Sequence, residues 1–127
     1  MNPKIIPLYL ALLLATVAHM FEEVWGRFWI INLFGGLGWY LVANWIILVI
    51  PFIIFYYLIQ EKPWAYYLGI VYAVFMILNG SGHSIATLAT GHYFGGFAGG
   101  FTGIALILIG IPLAYYIWKE ISNWERK

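Results

Sequence analysis

The chain has 127 residues, of which 64% are apolar and 9% charged, against roughly 25% charged in a water-soluble domain, so a soluble globular protein is excluded. Its net charge is +1 and its six Lys plus Arg are scattered, with one adjacent pair at Arg126 and Lys127, leaving no basic stripe to release phosphate counterions and excluding nucleic acid as a partner. Cysteine is absent, which removes disulfides, thiolate ligands and cysteine nucleophiles; any metal must be held by imidazole, carboxylate, amide or carbonyl groups.

A helix needs about 20 mostly apolar residues to cross the hydrocarbon core, so four spans would use roughly 80 residues and leave short connections and tails. The first uncharged run follows Lys4 and ends at the Glu22 and Glu23 pair, which predicts a helix over residues 4–25. Lys4, the apolar run and the small residues from Ala15 to Ala18 also resemble a signal peptide; a retained helix is the expectation. Residues 26–38, GRFWIINLFGGLG, are too short to span and are broken by glycine, which predicts an interfacial or re-entrant segment. Trp25, Phe28, Trp29, Trp39 and Tyr40 fit an aromatic belt. The second span is expected over 39–59, with a kink at Pro51. Gln60 to Pro63 form a hydrophilic turn, and a third span follows over 64–88, its apolar character interrupted at Asn79, Gly80, Ser81, Gly82 and His83. A fourth is expected over 101–118, followed by a short charged tail. No repeat of useful length is present.

The fold class expected is thus an all-α membrane protein: a single domain, a bundle of four transmembrane helices with a short interfacial or re-entrant segment after the first. With both termini cytoplasmic, Lys4, Lys62, Lys119, Arg126 and Lys127 lie inside and only Arg27 outside, the asymmetry of the positive-inside rule. A multi-pass protein of a prokaryotic plasma membrane is the expected setting.

His19 falls about 15 residues into the first helix, roughly 22 Å from its inner end. Glu22 and Glu23 stand at i+3 and i+4 from it and share its face. The third helix runs the same way, so His83 reaches a comparable height with Asn79 one turn below on the same face. Asn44, near the start of the descending second helix, falls in the same layer. Ionisable groups in a membrane segment are costly, about 2.5 to 3.5 kcal/mol for a charge at the helix centre on insertion scales, and mark a cavity or one another. A divalent metal accounts for them best. His19 and His83 with Glu22 or Glu23 would make the two-His, one-Glu set of catalytic zinc sites, the other Glu acting as general base; iron or manganese would suit similar donors.

Other readings of the same residues are a His19–Glu hydrogen bond at the membrane surface and a metal-free proton relay. A carboxylate-rich di-iron site lacks enough Glu, and haem between the histidines leaves both carboxylates unexplained. His92 reads as a solvated loop residue, although it and Tyr93 could fold over the site. The glycines Gly95, Gly96, Gly99, Gly100 and Gly103 give GxxxG spacings that permit close helix contact or a homodimer face. Trp25 and Trp45 are the aromatic residues expected as pocket walls.

His19 to Glu23, HMFEE, resembles the defining motif of the HXXEE family of small integral membrane proteins, and Asn79 to His83, NGSGH, is similar to that family's NXXXH motif. Tyr93 to Gly96 approximates its Tyr-X-Pro-Gly motif, with Gly95 where proline stands in the family. The resemblance implies His19, Glu22, Glu23, Asn79 and His83 as the functional set and supplies no activity. From the chemistry, the function expected is a metal-dependent membrane enzyme, hydrolytic, acting on a lipid or lipophilic small molecule, with Asn79 orienting the site or the substrate. A proton- or cation-coupled transporter or channel built on the same cluster is the alternative. A third reading, a subunit that uses the cluster only to fix helix packing, predicts that no ligand binds.

Overall fold

The computed structural model describes every residue except Phe34, Glu125 and Lys127, so the expected placement of Lys127 lies outside the described residues. Among the described residues five α-helices follow one another: α1 (Ile5–Trp25), the four-residue α2 (Ile30–Leu33), α3 (Leu37–Ile59), α4 (Pro63–Thr90) and α5 (Gly100–Trp124), with an irregular turn over Tyr93–Phe97 before the last. The four long ones have 21, 23, 28 and 25 residues, or about 32 to 42 Å at 1.5 Å per residue, against roughly 30 Å of hydrocarbon. All four are long and apolar enough to cross a membrane. The protein is an all-α bundle of four such helices, among the described residues without strands.

The boundaries have local causes. Pro63 opens α4, where its missing N–H costs nothing, and Gly91 closes it in the left-handed region, its N–H donating to the Thr87 carbonyl at 2.9 Å. Leu37–Ile59 is one helix through Pro51, whose carbonyl accepts the buried Tyr9 hydroxyl at 3.2 Å. The polar and glycine residues from Asn79 to His83 do not break α4. Helix α5 runs past the expected end at Trp118 because Leu113, Ile117 and Ile121 hold the i, i+4 spacing and stay buried. Trp124 then packs edge-on against Tyr66, ring centres 4.6 Å apart.

At one end of the bundle the α-amino group of Met1 lies 3.6 Å from Glu120 and 3.7 Å from Glu61, so the starts of α1 and α4 and the end of α5 share a face. Between that end and the bundle's middle the interior is solid: Ile5, Tyr9, Leu12, Leu58, Tyr66, Leu113 and Ile117 are fully buried. At the opposite end two connections are stitched together by backbone hydrogen bonds, Gly95 N–H to the Gly26 carbonyl (2.8 Å) and Trp29 N–H to the Gly96 carbonyl (3.1 Å). Residues 26–33 do not span; with Phe28 and Ile31 buried against Tyr40 and Ala98 they roof the bundle.

Helices α4 and α5 approach most closely where Gly80 faces Gly103. A Cβ on Gly103 would stand 2.7 Å from the Gly80 carbonyl oxygen, and one on Gly80 would collide with the Gly103 carbonyl. The glycine spacing is therefore used within the chain, as the small-residue rule for membrane helices describes. Gly103→Val should force the two backbones apart and lower the unfolding free energy by about 1 to 3 kcal/mol, read as reduced resistance to denaturing detergent; unchanged resistance would refute the close contact.

Candidate metal centre

The roofed end of the bundle holds the buried charge. His19 and Glu23 are one turn apart on α1, and His83 comes from α4; all three are buried. His19 Nε2 lies 3.5 Å from Glu23 Oε1 and His83 Nε2 lies 3.1 Å from the same oxygen. One ligand atom from each of the three lies within 4.8 Å of the others, so the group could hold a metal ion. A tetrahedral zinc with bonds of about 2.1 Å separates its ligand atoms by roughly 3.4 Å. The imidazole rings are perpendicular, with centres 4.8 Å apart.

The hydrogen bonds around the group fix its tautomers, as far as donors and acceptors define them. His83 Nδ1 lies 2.6 Å from the Ala98 carbonyl oxygen, which can only accept, so the proton is on Nδ1 and Nε2 is turned toward Glu23. The Thr102 hydroxyl donates to Glu22 Oε2, which leaves its oxygen to accept from His19 Nδ1–H at 2.8 Å. Asn79 Nδ2 donates to His19 Nε2 at 3.1 Å. The Tyr40 hydroxyl donates to Glu23 Oε2, freeing Oε1 for the histidines. Electron pairs from His83 Nε2 and Glu23 Oε1 thus converge in buried space beside His19 Nε2, whose pair accepts from Asn79 and would have to leave it to bind a metal; a shared cation stabilises the group, either a proton on His83 Nε2 or a metal among the three.

Glu22 is not part of this group. Being one residue earlier on α1, it is turned about 100° away and faces the start of α5. There Tyr93 Oη donates to Oε1 at 2.6 Å, Phe101 N–H to Oε1 at 3.1 Å, and Thr102 N–H to Oε2 at 2.7 Å, beside the Thr102 hydroxyl. A carboxylate at a helix N-terminus satisfies free N–H groups and the positive end of the dipole. Burial and the Glu22 charge hold the Tyr93 phenol above the ordinary tyrosine range, so it remains a donor. Glu22, expected as metal ligand or general base, stands outside the three-residue group that could hold a metal and touches it through the Thr102 hydroxyl bonded to His19.

Asn79 joins the group by its bond to His19. Asn44 lies one turn away, its amide donating to the Tyr40 carbonyl at 2.9 Å. His92 is exposed while Tyr93 folds down onto Glu22. Trp25 and Trp45 are exposed and line no part of the cavity described below, so they are not pocket walls. Phe28 and Tyr40, expected in the aromatic belt, are buried instead: the Phe28 ring lies 4.6 Å from that of His83. The sequence reading missed Tyr40, Ala98, Gly99 and Thr102 as site residues. Gly99 has φ +115°, and a Cβ there would stand 2.7 Å from both His19 Cε1 and His83 Nδ1, so both rings rest on a bare backbone.

From this cluster a cavity of about 380 Å³ extends between α1, α3 and α4. His19, Glu23, Tyr40 and Asn79 form its polar head, and its walls descend along apolar residues to Ile54 and Leu68.

Comparison with protein-family models, with curated proteins and with solved structures finds no match for this chain. The fold and the site together define a class: a multi-pass, all-α membrane protein with a buried His–Glu group that could hold a metal ion.

Proposed function

We propose that this protein is a metal-dependent membrane enzyme, hydrolytic, acting on a lipid or lipophilic molecule, with zinc as the metal and iron or manganese as alternatives. The observation that supports it is the convergence of His19, Glu23 and His83 at the head of an apolar cavity. Two imidazole nitrogens and one carboxylate oxygen are the donor set of catalytic zinc sites that leave a position open. A divalent ion held there supplies a Lewis acid and a nucleophilic water near neutral pH.

The chain's own residues supply the rest. Thr102 and the Ala98 carbonyl hold the Nδ1 protons of His19 and His83 and so aim both Nε2 atoms inward. Tyr40 holds one oxygen of Glu23 and leaves the other to the histidines. Glu23 is the one carboxylate among the described residues lining the cavity, and it would hold the metal together with the two histidines. Asn79, at the cavity head, orients the substrate carbonyl. The HXXEE resemblance points to His19, Glu23, Asn79 and His83 of these residues and to Glu22, which here holds Thr102.

A transporter on the same cluster would need a polar route to both faces. The buried apolar layer around Leu58, Tyr66 and Leu113 favours a closed pocket. The single uneven charge, Arg27 at the roofed end against Lys4, Lys62, Lys119 and Arg126 toward the other, supports cytoplasmic termini.

The test is turnover. Protein loaded with zinc in vesicles of a total polar lipid extract should deplete one lipid class and release its two hydrolysis fragments, followed by mass spectrometry. Glu23→Gln should slow this by about 100-fold or more. Metal-loaded, folded protein that changes no lipid would sink the enzyme reading.

A further inference from the structure

We infer that the cavity beneath the His–Glu group binds a neutral, single-chain amphiphile taken sideways from the bilayer, its uncharged head at Asn79 and Glu23 and its tail toward Ile54 and Leu68. This rests on the enzyme reading and names its substrate class.

Four observations carry it. The first is access. Phe28, Ile31, Tyr40 and Ala98 close the roof above the group, and the fully buried Leu58 and Tyr66 fill the interior below. On the side between α3 and α4, wall residues are also surface residues: Ile50 is 57% and Val71 62% exposed. In a membrane that face meets lipid chains, so the mouth opens into hydrocarbon and not into water.

The second is length and width. From Leu68 to Asn79 along α4 the cavity runs about 16 Å at 1.5 Å per residue, the reach of one medium-length acyl chain. A volume of about 380 Å³ is near the lower end for small-molecule pockets and suits one chain, not the two of a phospholipid.

The third is the polarity of the walls. Below the head, the polar side chains are already engaged. The Thr16 hydroxyl donates to the Leu12 carbonyl at 2.8 Å, which leaves Tyr72 to donate to Thr16 at 2.7 Å. Asn44 is bonded to the Tyr40 carbonyl. What a ligand meets there is apolar surface, worth about 0.8 kcal/mol for each methylene buried from water.

The fourth is charge. Among the described residues lining the cavity there is no Lys or Arg, and the one ionisable acid is Glu23. In the metal-free protein a phosphate or carboxylate head would face that carboxylate with no Lys or Arg beside it, whereas an ester, amide or alcohol would meet the Asn79 amide.

The experiment uses the full chain in phosphatidylcholine vesicles. Three probes carry a photoactivatable diazirine at the tail end: a long-chain N-methyl amide, the matching fatty acid, and a two-chain phosphatidylcholine. Labelled residues are mapped by mass spectrometry. The amide should label residues around Ile54 and Leu68 in preference to lipid-facing positions such as Leu108. Val71→Trp, which places an indole in the mouth, should lower that labelling by about tenfold, while Leu108→Trp, on the outer face of α5, should leave it unchanged.

Even labelling over all lipid-facing residues would overturn the inference, as would equal labelling by the phosphatidylcholine or by the fatty acid. The two readings separate cleanly. Cavity labelling by protein that turns over no lipid keeps the binding site and removes the enzyme, and turnover without cavity labelling does the reverse.

Discussion

Protein purified without an affinity tag in mild detergent should carry about one divalent metal per chain, and His19→Ala, Glu23→Ala and His83→Ala should each abolish it. The three ligand atoms come from two helices and lie within 4.8 Å, so removing any one leaves too few donors for a closed set. Changing partners outside the first ligand shell typically costs 10 to 100-fold in affinity; loss of a ligand should exceed about 100-fold. Glu22→Gln and Thr102→Val should fall in the lower range. Glu22 accepts from four donors, and an amide NH₂ in its place would set one donor against another, loosening Thr102 and with it the aim of His19. This grading distinguishes Glu23 from Glu22. Elemental analysis of folded protein gives the outcome directly: metal retained by His83→Ala, or equal loss in Glu22→Gln and Glu23→Gln, would contradict the arrangement described.

The second large effect is expected at a residue with no functional group. Gly99→Ala places a methyl 2.7 Å from an atom of each imidazole and 3.2 Å from His83 Cγ, at φ +115°. Left-handed strain for a non-glycine residue costs about 1 to 3 kcal/mol, and neither ring can yield without abandoning Thr102 or the Ala98 carbonyl. Metal binding should fall as far as in the ligand variants, with reduced resistance to denaturing detergent. Gly82→Ala is the matched control: its Cβ would meet nothing within 4 Å, and the position is exposed on α4. It should leave binding intact and stabilise α4 slightly, by about 0.5 to 1 kcal/mol. Full metal affinity in Gly99→Ala would refute the account of the ring seat.

Much of this was legible in the sequence because the signals are periodic or costly. Four apolar runs of spanning length define four helices, and the i+4 step from His19 to Glu23, with His83 at matching depth, places the cluster. Which carboxylate faces inward was not legible. One residue turns a helix by about 100°, and the choice between Glu22 and Glu23 depends on where the start of α5 packs against α1. Tyr40 read as a belt residue because aromatic residues near a helix end have that role in most membrane proteins; only the roof formed by Phe28 and Ile31 makes it internal. The Ala98 carbonyl has no sequence signature at all, and Gly99 is concealed in a run of small residues where one position needs positive φ and its neighbours do not. Thr102 became visible only once Glu22 was seen to reach across to α5.

The order in which the chain is made gives this arrangement a further consequence. His19 and Glu23 belong to α1, which is made before α3, α4 and α5. The carbonyl of Ala98, the backbone of Gly99 and the hydroxyl of Thr102 arrive with α5 and the segment just before it. Until α5 is threaded in, the two imidazoles have neither the seat that separates them nor the acceptors that set their tautomers. A ribosome-bound intermediate that lacks α5 would hold the ligands but not the site, so metal capture can follow only the arrival of α5, and the ion would serve as a check that these four helices have found their places.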